Sequence, residues 1–211
     1  GLTFMGYIEG NLSGVHARIF RISFSGELAY EVNVESDKGN FMWEKIMETG
    51  KEFDIEAYGT EALSTLRIEM GHVAGSELDG RTIPYDNSLE GLVSKKKDFI
   101  GKRSLNRKAF TAVDRQKVVG VVPVDKKTSI PEGSHLVKDA NAKLPNPKLG
   151  HISASCWSVE YDNPFSLAIL KDGKNMIGQK LFAMSPVKNK IIPVEIVSSH
   201  YVDPKGVRVR S

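Results

Sequence analysis

The second half of the chain is divided into short apolar segments, and their spacing limits the folds that it can adopt. After about Thr111, the sequence contains the runs KVVGVVPV, SHLVK, LGHISASCW, FSLAIL, QKLFAM and IIPVEIV. Glycine, proline, asparagine and aspartate separate these runs at near-regular intervals, and helical periodicity is lost. Short strands that alternate with turns are typical of a β-barrel or a β-sandwich. We therefore predict a C-terminal β-barrel domain over residues 113–211.

The first half of the chain begins with strand-like sequence. Residues 15–24, VHARIFRISF, are rich in β-branched and aromatic side chains. From Leu28 to Val34, apolar residues alternate with Ala29, Glu31 and Asn33, which is the period of a strand with one apolar face. The simplest connection is a hairpin that turns at Ser25-Gly26, so two antiparallel strands are predicted here.

Two helices are predicted after these strands. Between Ser36 and about Phe53, apolar residues stand four positions apart, as on the buried face of an amphipathic helix. A second helix is predicted from Thr60 to Met70, with Thr60 as its N-cap and Gly71 as its end. Strands followed by helices indicate an α+β domain of the ferredoxin-like type or a related layered fold.

A long polar segment joins the two halves. Residues 75–97 are rich in turn-forming residues and show no clear period, and a loop of this length inside a domain is often functional. A connecting helix is predicted at Gly101–Phe110, and the domain boundary is placed near residue 112. The first domain therefore covers residues 1–112.

The composition is that of a globular protein, with 40% apolar and 26% charged residues. A net charge of +3 is far from the charge of a typical nucleic-acid-binding protein. No apolar run approaches the roughly 20 residues that span a bilayer, so neither a nucleic acid nor a membrane is an expected partner. Cys156 is the only cysteine, which excludes an internal disulfide and favours the reducing cytoplasm as the location.

Motifs with a known chemistry are missing from the sequence. The five histidines are scattered, without the close spacing of metal ligands, and no P-loop, G-x-S-x-G or G-x-G-x-x-G motif occurs. No catalytic residue and no metal ligand is therefore predicted. The run of Lys95, Lys96 and Lys97 is most simply a solvated loop, and the alternatives are contact with an acidic partner or with the polyglutamate tail of a folate.

Several motifs, in order along the chain, resemble a known family. The segments RISFSGELAYE at Arg21–Glu31 and GTEALSTLRIE at Gly59–Glu69 resemble the tetrahydrofolate-binding fold of the glycine-cleavage T-protein (aminomethyltransferase) family. Further segments resemble the C-terminal part of the α subunits of heterotetrameric sarcosine oxidases, which are related to that family. These segments are DGRTIPYD at Asp79–Asp86, SKKKDFIGKRSL at Ser94–Leu105, LGHISASCWS at Leu149–Ser158, and YVDPKGVRV near the end.

The resemblance implies four residues of a folate site. Glu31 falls on the glutamate with which the family binds the pterin ring, although by periodicity alone it is a solvated carboxylate on a strand. Phe24 falls on the family's aromatic residue, which is usually a tyrosine. Tyr85 and Trp157 lie in segments that resemble ones near the family's pocket, and each can also be a packing residue. A carboxylate can accept the two parallel donors of the pterin edge, which gives the role of Glu31 a chemical basis.

The resemblance also implies an activity for the complete protein. In sarcosine oxidases, sarcosine is oxidised at a flavin, and tetrahydrofolate captures the one-carbon unit as 5,10-methylenetetrahydrofolate. FAD, FMN and NAD are expected in other parts of a complex that contains a β subunit and further subunits. The family's catalytic aspartate lies in a half that would precede residue 1, so this chain is expected to be a fragment that is inactive alone.

Two alternatives remain open. The family's folate-binding arginine is replaced by Leu63, and a tryptophan found in relatives is replaced by Gly91. These losses agree with a T-protein-like module that binds no folate and docks partner subunits. The other alternative is a stand-alone one-carbon transferase, such as an aminomethyltransferase or a demethylase, and the lost arginine counts against it.

Overall fold

The computed structural model describes residues 1–141 and 145–211, which form two compact units. Unit 1 consists of residues 1–67 together with residues 203–211, and unit 2 consists of residues 68–202. The boundary predicted near residue 112 falls inside unit 2, and it stays a prediction.

Unit 1 contains a three-stranded antiparallel sheet. Its strands, in spatial order, are β1 (Tyr7–Leu12), β2 (Val15–Phe20) and β3 (Glu31–Asn33). The predicted pairing of two strands is confirmed, but the tight turn at Ser25-Gly26 is wrong, because residues 21–30 form a ten-residue loop. Within this loop the Gly26 amide donates to Ser23 Oγ at 3.0 Å, and such local bonds compete with the strand ladder.

The two predicted helices are present. Helix α1 (Gly39–Thr49) lies between the 3-10 turns Ser36–Lys38 and Gly50–Phe53, and its Met42 is buried. Helix α2 (Thr60–Glu69) ends just before Gly71, which has a φ of +77°. Glycine adopts this left-handed conformation without steric cost, so it ends the helix as predicted. A further 3-10 turn, Arg208–Arg210, lies at the C-terminus.

Residues 71–115 form an irregular segment of unit 2. It contains the 3-10 turns Gly75–Glu77, Glu90–Leu92 and Ser104–Asn106, and among its described residues no α-helix occurs. The helix predicted at Gly101–Phe110 is therefore wrong. Gly101 has a φ of +95°, and this stretch offers few apolar side chains that could form a buried helical face.

The rest of unit 2 is a closed antiparallel barrel, as predicted. Its strands are β4 (Gln116–Pro123), β5 (His135–Val137), β6 (Gly150–Ser158), β7 (Asn163–Lys171), β8 (Lys180–Ser185) and β9 (Lys190–Val197), with a 3-10 turn at Gly173–Met176. The spatial order is β4-β7-β6-β5-β8-β9, and because the barrel is closed, none of these described strands lies at an edge. Each predicted apolar run supplies one strand. The buried core includes Val119, Val121, Leu136, Ile152, Leu170, Val194 and Ile196.

Candidate functional site

A row of three side chains crosses the sheet of unit 1. Tyr7 on β1 is opposite Phe20 on β2, and Phe20 is opposite Glu31 on β3. Residues directly opposite each other in a ladder share one face of the sheet. The rings of Tyr7 and Phe20 stack, with centroids 5.5 Å apart and planes inclined by 21°. An exposed carboxylate therefore lies beside a pair of stacked aromatic rings.

The other face of this sheet carries its buried residues. Ala17 is 1% exposed, and Ile19 and Val32, which are opposite each other, are half-buried. Glu31 therefore points away from the buried face, as its position in the alternating pattern predicts. Leu28 and Tyr30 are each 51% exposed because they lie in the loop before β3, so the apolar face of the strand is shorter than predicted.

Charged side chains flank the row on the same exposed face. Glu9 and Arg18 are opposite each other, two residues along from Tyr7 and Phe20, and their side chains form an ion pair at 3.6 Å. A flat heterocycle can stack on aromatic rings, and a carboxylate beside them can accept paired N–H donors. The row defined by Tyr7, Phe20 and Glu31, called here the aromatic–carboxylate row, is thus suited to a planar ligand with a donor edge.

Phe24, the aromatic residue assigned by sequence, lies in the loop of residues 21–30. It is 38% exposed, whereas the ladder places Phe20 directly opposite Glu31. The loop is anchored by Arg21, which donates from Nη1 to the Leu2 carbonyl oxygen at 2.7 Å. The role of Phe24 in folate binding stays a prediction. The sequence pattern did not indicate that Tyr7 and Phe20 would lie beside Glu31.

Tyr85 and Trp157 both lie in unit 2. Trp157 is 46% exposed on β6, and its indole Nε1 donates to Asp162 Oδ1 at 3.3 Å. Tyr85 is half-buried, and its carbonyl oxygen accepts a hydrogen bond from Lys117 Nζ. Tyr85 also lines a cavity of about 330 Å³. The assignment of both residues to a folate site stays a prediction.

A second cavity in unit 2, of about 500 Å³, contains His151. Burial lowers the pKa of His151, and the nearby cations of Lys148 and Arg81 lower this pKa further, while Asp79 opposes them. Arg81 is itself paired with Asp79, so part of the positive charge here is compensated. A lowered pKa favours the neutral imidazole, which can both donate and accept a hydrogen bond.

The motif DGRTIPYD has a structural role through its last residue. The Asp86 carboxylate is fully buried and accepts hydrogen bonds from Arg115 Nε at 2.7 Å and Nη2 at 2.5 Å. The Ile83 amide donates to the same carboxylate at 3.0 Å. The Arg115 guanidinium also lies over the Phe110 ring, 5.1 Å from its centroid. This network holds the irregular segment of unit 2 against the start of the barrel.

Residues 1–141 and 145–211 contain neither a cluster of metal-ligating side chains nor a helix that could cross a membrane. No group of three or more histidine, cysteine, aspartate or glutamate side chains is arranged to hold a metal ion in these ranges. The described helices are also too short or too polar for any of them to cross a membrane.

Known proteins resemble this chain over most of its length. Residues 1–97 match the family described as GCVT N-terminal domain. The sarcosine oxidase α subunit of Rhizobium meliloti (strain 1021) is 39% identical over 197 residues, which are 92% of this chain and 20% of the relative. The corresponding subunit of Corynebacterium sp. (strain P-1) is 40% identical over 209 residues, 97% of this chain and 21% of the relative. The chain is homologous to sarcosine oxidase α subunits.

The chain spans about one fifth of the length of these curated relatives. More distant similarity extends to the aminomethyltransferase of Halothermothrix orenii, which is 28% identical over 203 residues, 95% of this chain and 54% of that protein. The glycine cleavage system aminomethyltransferase T of Bartonella henselae shares the fold, with a TM-score of 0.79 and 21% identity. That match covers 96% of this chain and 54% of the other, and it confirms the mixed α/β fold.

Proposed function

We propose that this chain supplies the tetrahydrofolate-binding part of a sarcosine oxidase α subunit. In the complete enzyme, the one-carbon unit released by oxidation of sarcosine at a flavin is captured as 5,10-methylenetetrahydrofolate. The observation that carries the proposal is the aromatic–carboxylate row, in which Glu31 lies exposed beside the stacked rings of Tyr7 and Phe20. Homology to sarcosine oxidase α subunits supports it.

The residues of the row fit the chemistry of a pterin. The Glu31 carboxylate accepts the two parallel N–H donors of the 2-amino-4-oxopyrimidine edge, in a charge-assisted pair. Phe20 and Tyr7 offer aromatic surface to the rest of the planar ring system. Phe24, Tyr85 and Trp157 are proposed as further contacts. Tetrahydrofolate supplies the amine nitrogens that take up the one-carbon unit.

The role of this region is to bind and orient. A folate held beside the arriving electrophile reacts in an effectively unimolecular step, which removes much of the entropic barrier. FAD, FMN and NAD, together with the β subunit and the remaining subunits, belong to the rest of the proposed complex. This chain alone is expected to oxidise no sarcosine.

The test is calorimetry of tetrahydrofolate binding to the intact enzyme. Glu31→Ala removes a hydrogen-bonded charge, so the affinity is expected to fall by about 1.5–3 kcal/mol, or roughly 10- to 150-fold. Glu56→Ala is the matched control, because Glu56 is an exposed glutamate of unit 1 outside the row. Equal affinity in wild type and Glu31→Ala would show that the assigned role is wrong.

A second candidate is a T-protein-like module that docks partner subunits and binds no folate. The observation that favours it is Leu63, which occupies the position of the family's arginine and is half-buried in α2. The same calorimetry separates the two functions, because the docking module predicts no binding heat even for the wild-type enzyme.

A further inference from the structure

Unit 2 has an apolar groove in its irregular segment. Two cavities of about 400 and 330 Å³ share Val93, Ser94, Phe99 and Leu105 in their linings, so they adjoin. The larger cavity is also lined by Pro84, Leu89 and Leu92. The concave surface formed by residues 84–105 is called here the basic groove.

Large apolar side chains beside the basic groove are exposed to solvent. Leu92 is 80% exposed, and Ile100 is fully exposed at 105%. Phe99 is 38% exposed and lines both cavities. Contiguous exposed apolar surface with a charged rim marks interaction sites on proteins. Within this segment, Lys102 Nζ donates to the Lys97 carbonyl oxygen at 2.7 Å, which joins the lysine run to the residues after Phe99.

The rim of the basic groove is positive. Residues 84–105 contain five lysines and arginines and three acidic residues, Asp86, Glu90 and Asp98. Asp86 is buried against Arg115, and Glu90 is paired with Lys174, so most of this negative charge is already compensated. Lys95, Lys96 and Lys97 are all exposed, and Lys97 and Lys95 each line one of the two cavities of the basic groove. A partner with the opposite charge would be steered towards this surface and would gain specificity from the match.

We propose that the basic groove docks an acidic segment of another subunit, with an aromatic or aliphatic side chain of that segment inserted between Leu92 and Phe99. The partner's identity as a subunit of the oxidase rests on the proposed function, whereas the chemistry of the docking segment follows from the groove. The names of the similar proteins describe each of them as one subunit of an oxidase, which agrees with assembly from separate chains.

Concavity favours a polypeptide over a lipid surface as the occupant. A groove can enclose an inserted side chain, which is how buried anchors contribute most of the affinity at protein interfaces. Interfacial membrane anchors are typically amphipathic helices, whereas residues 84–105 contain no α-helix. The two adjoining cavities, together with the basic rim, therefore fit a peptide segment with an apolar anchor and flanking carboxylates.

The direct test is site-specific photocrosslinking in the intact assembly. A photoreactive amino acid at position 100, next to the groove, is expected to crosslink to an Asp/Glu-rich segment of another subunit, identified by sequencing the crosslinked peptide. Crosslinking to another part of the same chain, to a second copy, or to nothing would overturn the proposal. Binding of the assembly through this surface to vesicles of phosphatidylcholine and phosphatidylserine would also overturn it.

A matched pair of variants supplies the second measurement. Ile100→Asp, combined with Lys96→Glu, should raise the dissociation constant of the assembly at least tenfold in analytical ultracentrifugation, and the wild-type constant should rise with salt. Val187→Asp combined with Lys188→Glu is the control, because Val187 is 92% exposed and Lys188 is exposed in the turn between β8 and β9 of the same unit. Equal dissociation constants for the two variants would contradict docking at the groove.

Failure of the inference and failure of the proposed function are distinguishable. In the Ile100→Asp enzyme, which keeps both Glu31 and Tyr85, tetrahydrofolate calorimetry reports folate binding and ultracentrifugation reports assembly, so the two functions are measured separately. Intact folate binding with unchanged assembly would overturn the docking inference alone. Loss of assembly in an enzyme that never binds tetrahydrofolate would support docking and refute the folate proposal.

Discussion

The ion pair between Asp86 and Arg115 should be the main anchor of the irregular segment in unit 2. Asp86 is 0% exposed and the Arg115 side chain is 17% exposed, so the pair is shielded from water. Arg115→Met leaves the buried carboxylate with the Ile83 amide as a remaining donor. Removing one partner of a buried pair typically costs about 3–5 kcal/mol, because the other charge is left uncompensated.

Hydrogen exchange in the intact protein measures this cost locally. The Val118 amide donates to the Asp86 carbonyl oxygen at 2.7 Å, so exchange at the start of β4 reports whether the segment is held. If the free energy of local opening falls by about 3 kcal/mol, exchange becomes roughly 150-fold faster, up to the limit set by global unfolding. Faster exchange should extend through residues 83–92, because these residues are next to Asp86 and lose the same anchor.

The control is the exposed ion pair of the same segment. Arg81 is paired with Asp79, and the Arg81 side chain is 80% exposed. Because water and salt screen exposed pairs, Arg81→Met should change exchange little. Similar exchange rates in the Arg81→Met and Arg115→Met proteins would refute the argument that burial makes the Asp86 pair the anchor.

Three further predictions test other parts of the molecule. Gly71→Ala should destabilise unit 2 by about 1–3 kcal/mol, because an added Cβ would lie 2.3 Å from a backbone oxygen at a φ of +77°. Gly133→Ala should destabilise unit 2 less in thermal unfolding, because Gly133 has a similar φ of +75° but no neighbouring atom near the added Cβ. Phe20→Ala should weaken tetrahydrofolate binding more than Phe24→Ala in calorimetry, and the reverse order would contradict the register argument. Because the pKa of His151 is lowered in the folded protein, the unfolded chain binds a proton on this histidine more tightly than the folded protein does. Unit 2 should therefore lose stability as the pH falls below about 6.5, which hydrogen exchange can measure. His151→Gln should reduce that loss.

The barrel could be predicted because each of its strands is a separate apolar run. Turn-forming residues separate these runs, so local sequence and tertiary structure agree over β4 to β9. Helix α2 was likewise predictable from its N-cap and from Gly71 at its end. The helix expected at Gly101–Phe110 failed because lysines and arginines, which favour helix locally, here lie in turns without a buried face.

The candidate site was only half predictable. Alternation correctly placed Glu31 on the exposed side of its strand, but the residues beside it depend on cross-strand register. A ten-residue loop separates β2 from β3, and loops of that length do not determine register as a two-residue turn does. Strand β1, with Tyr7, was missed because the run YIEGNL is mostly exposed and lacks the alternation of a half-buried strand.

The most direct test of the folate proposal is a crystal structure of the intact enzyme with tetrahydrofolate bound. The pterin's amino and ring N–H groups should lie about 3 Å from the Glu31 carboxylate oxygens, with Phe20 against the ring. A pterin bound elsewhere, with the Glu31 side chain surrounded by solvent, would contradict it.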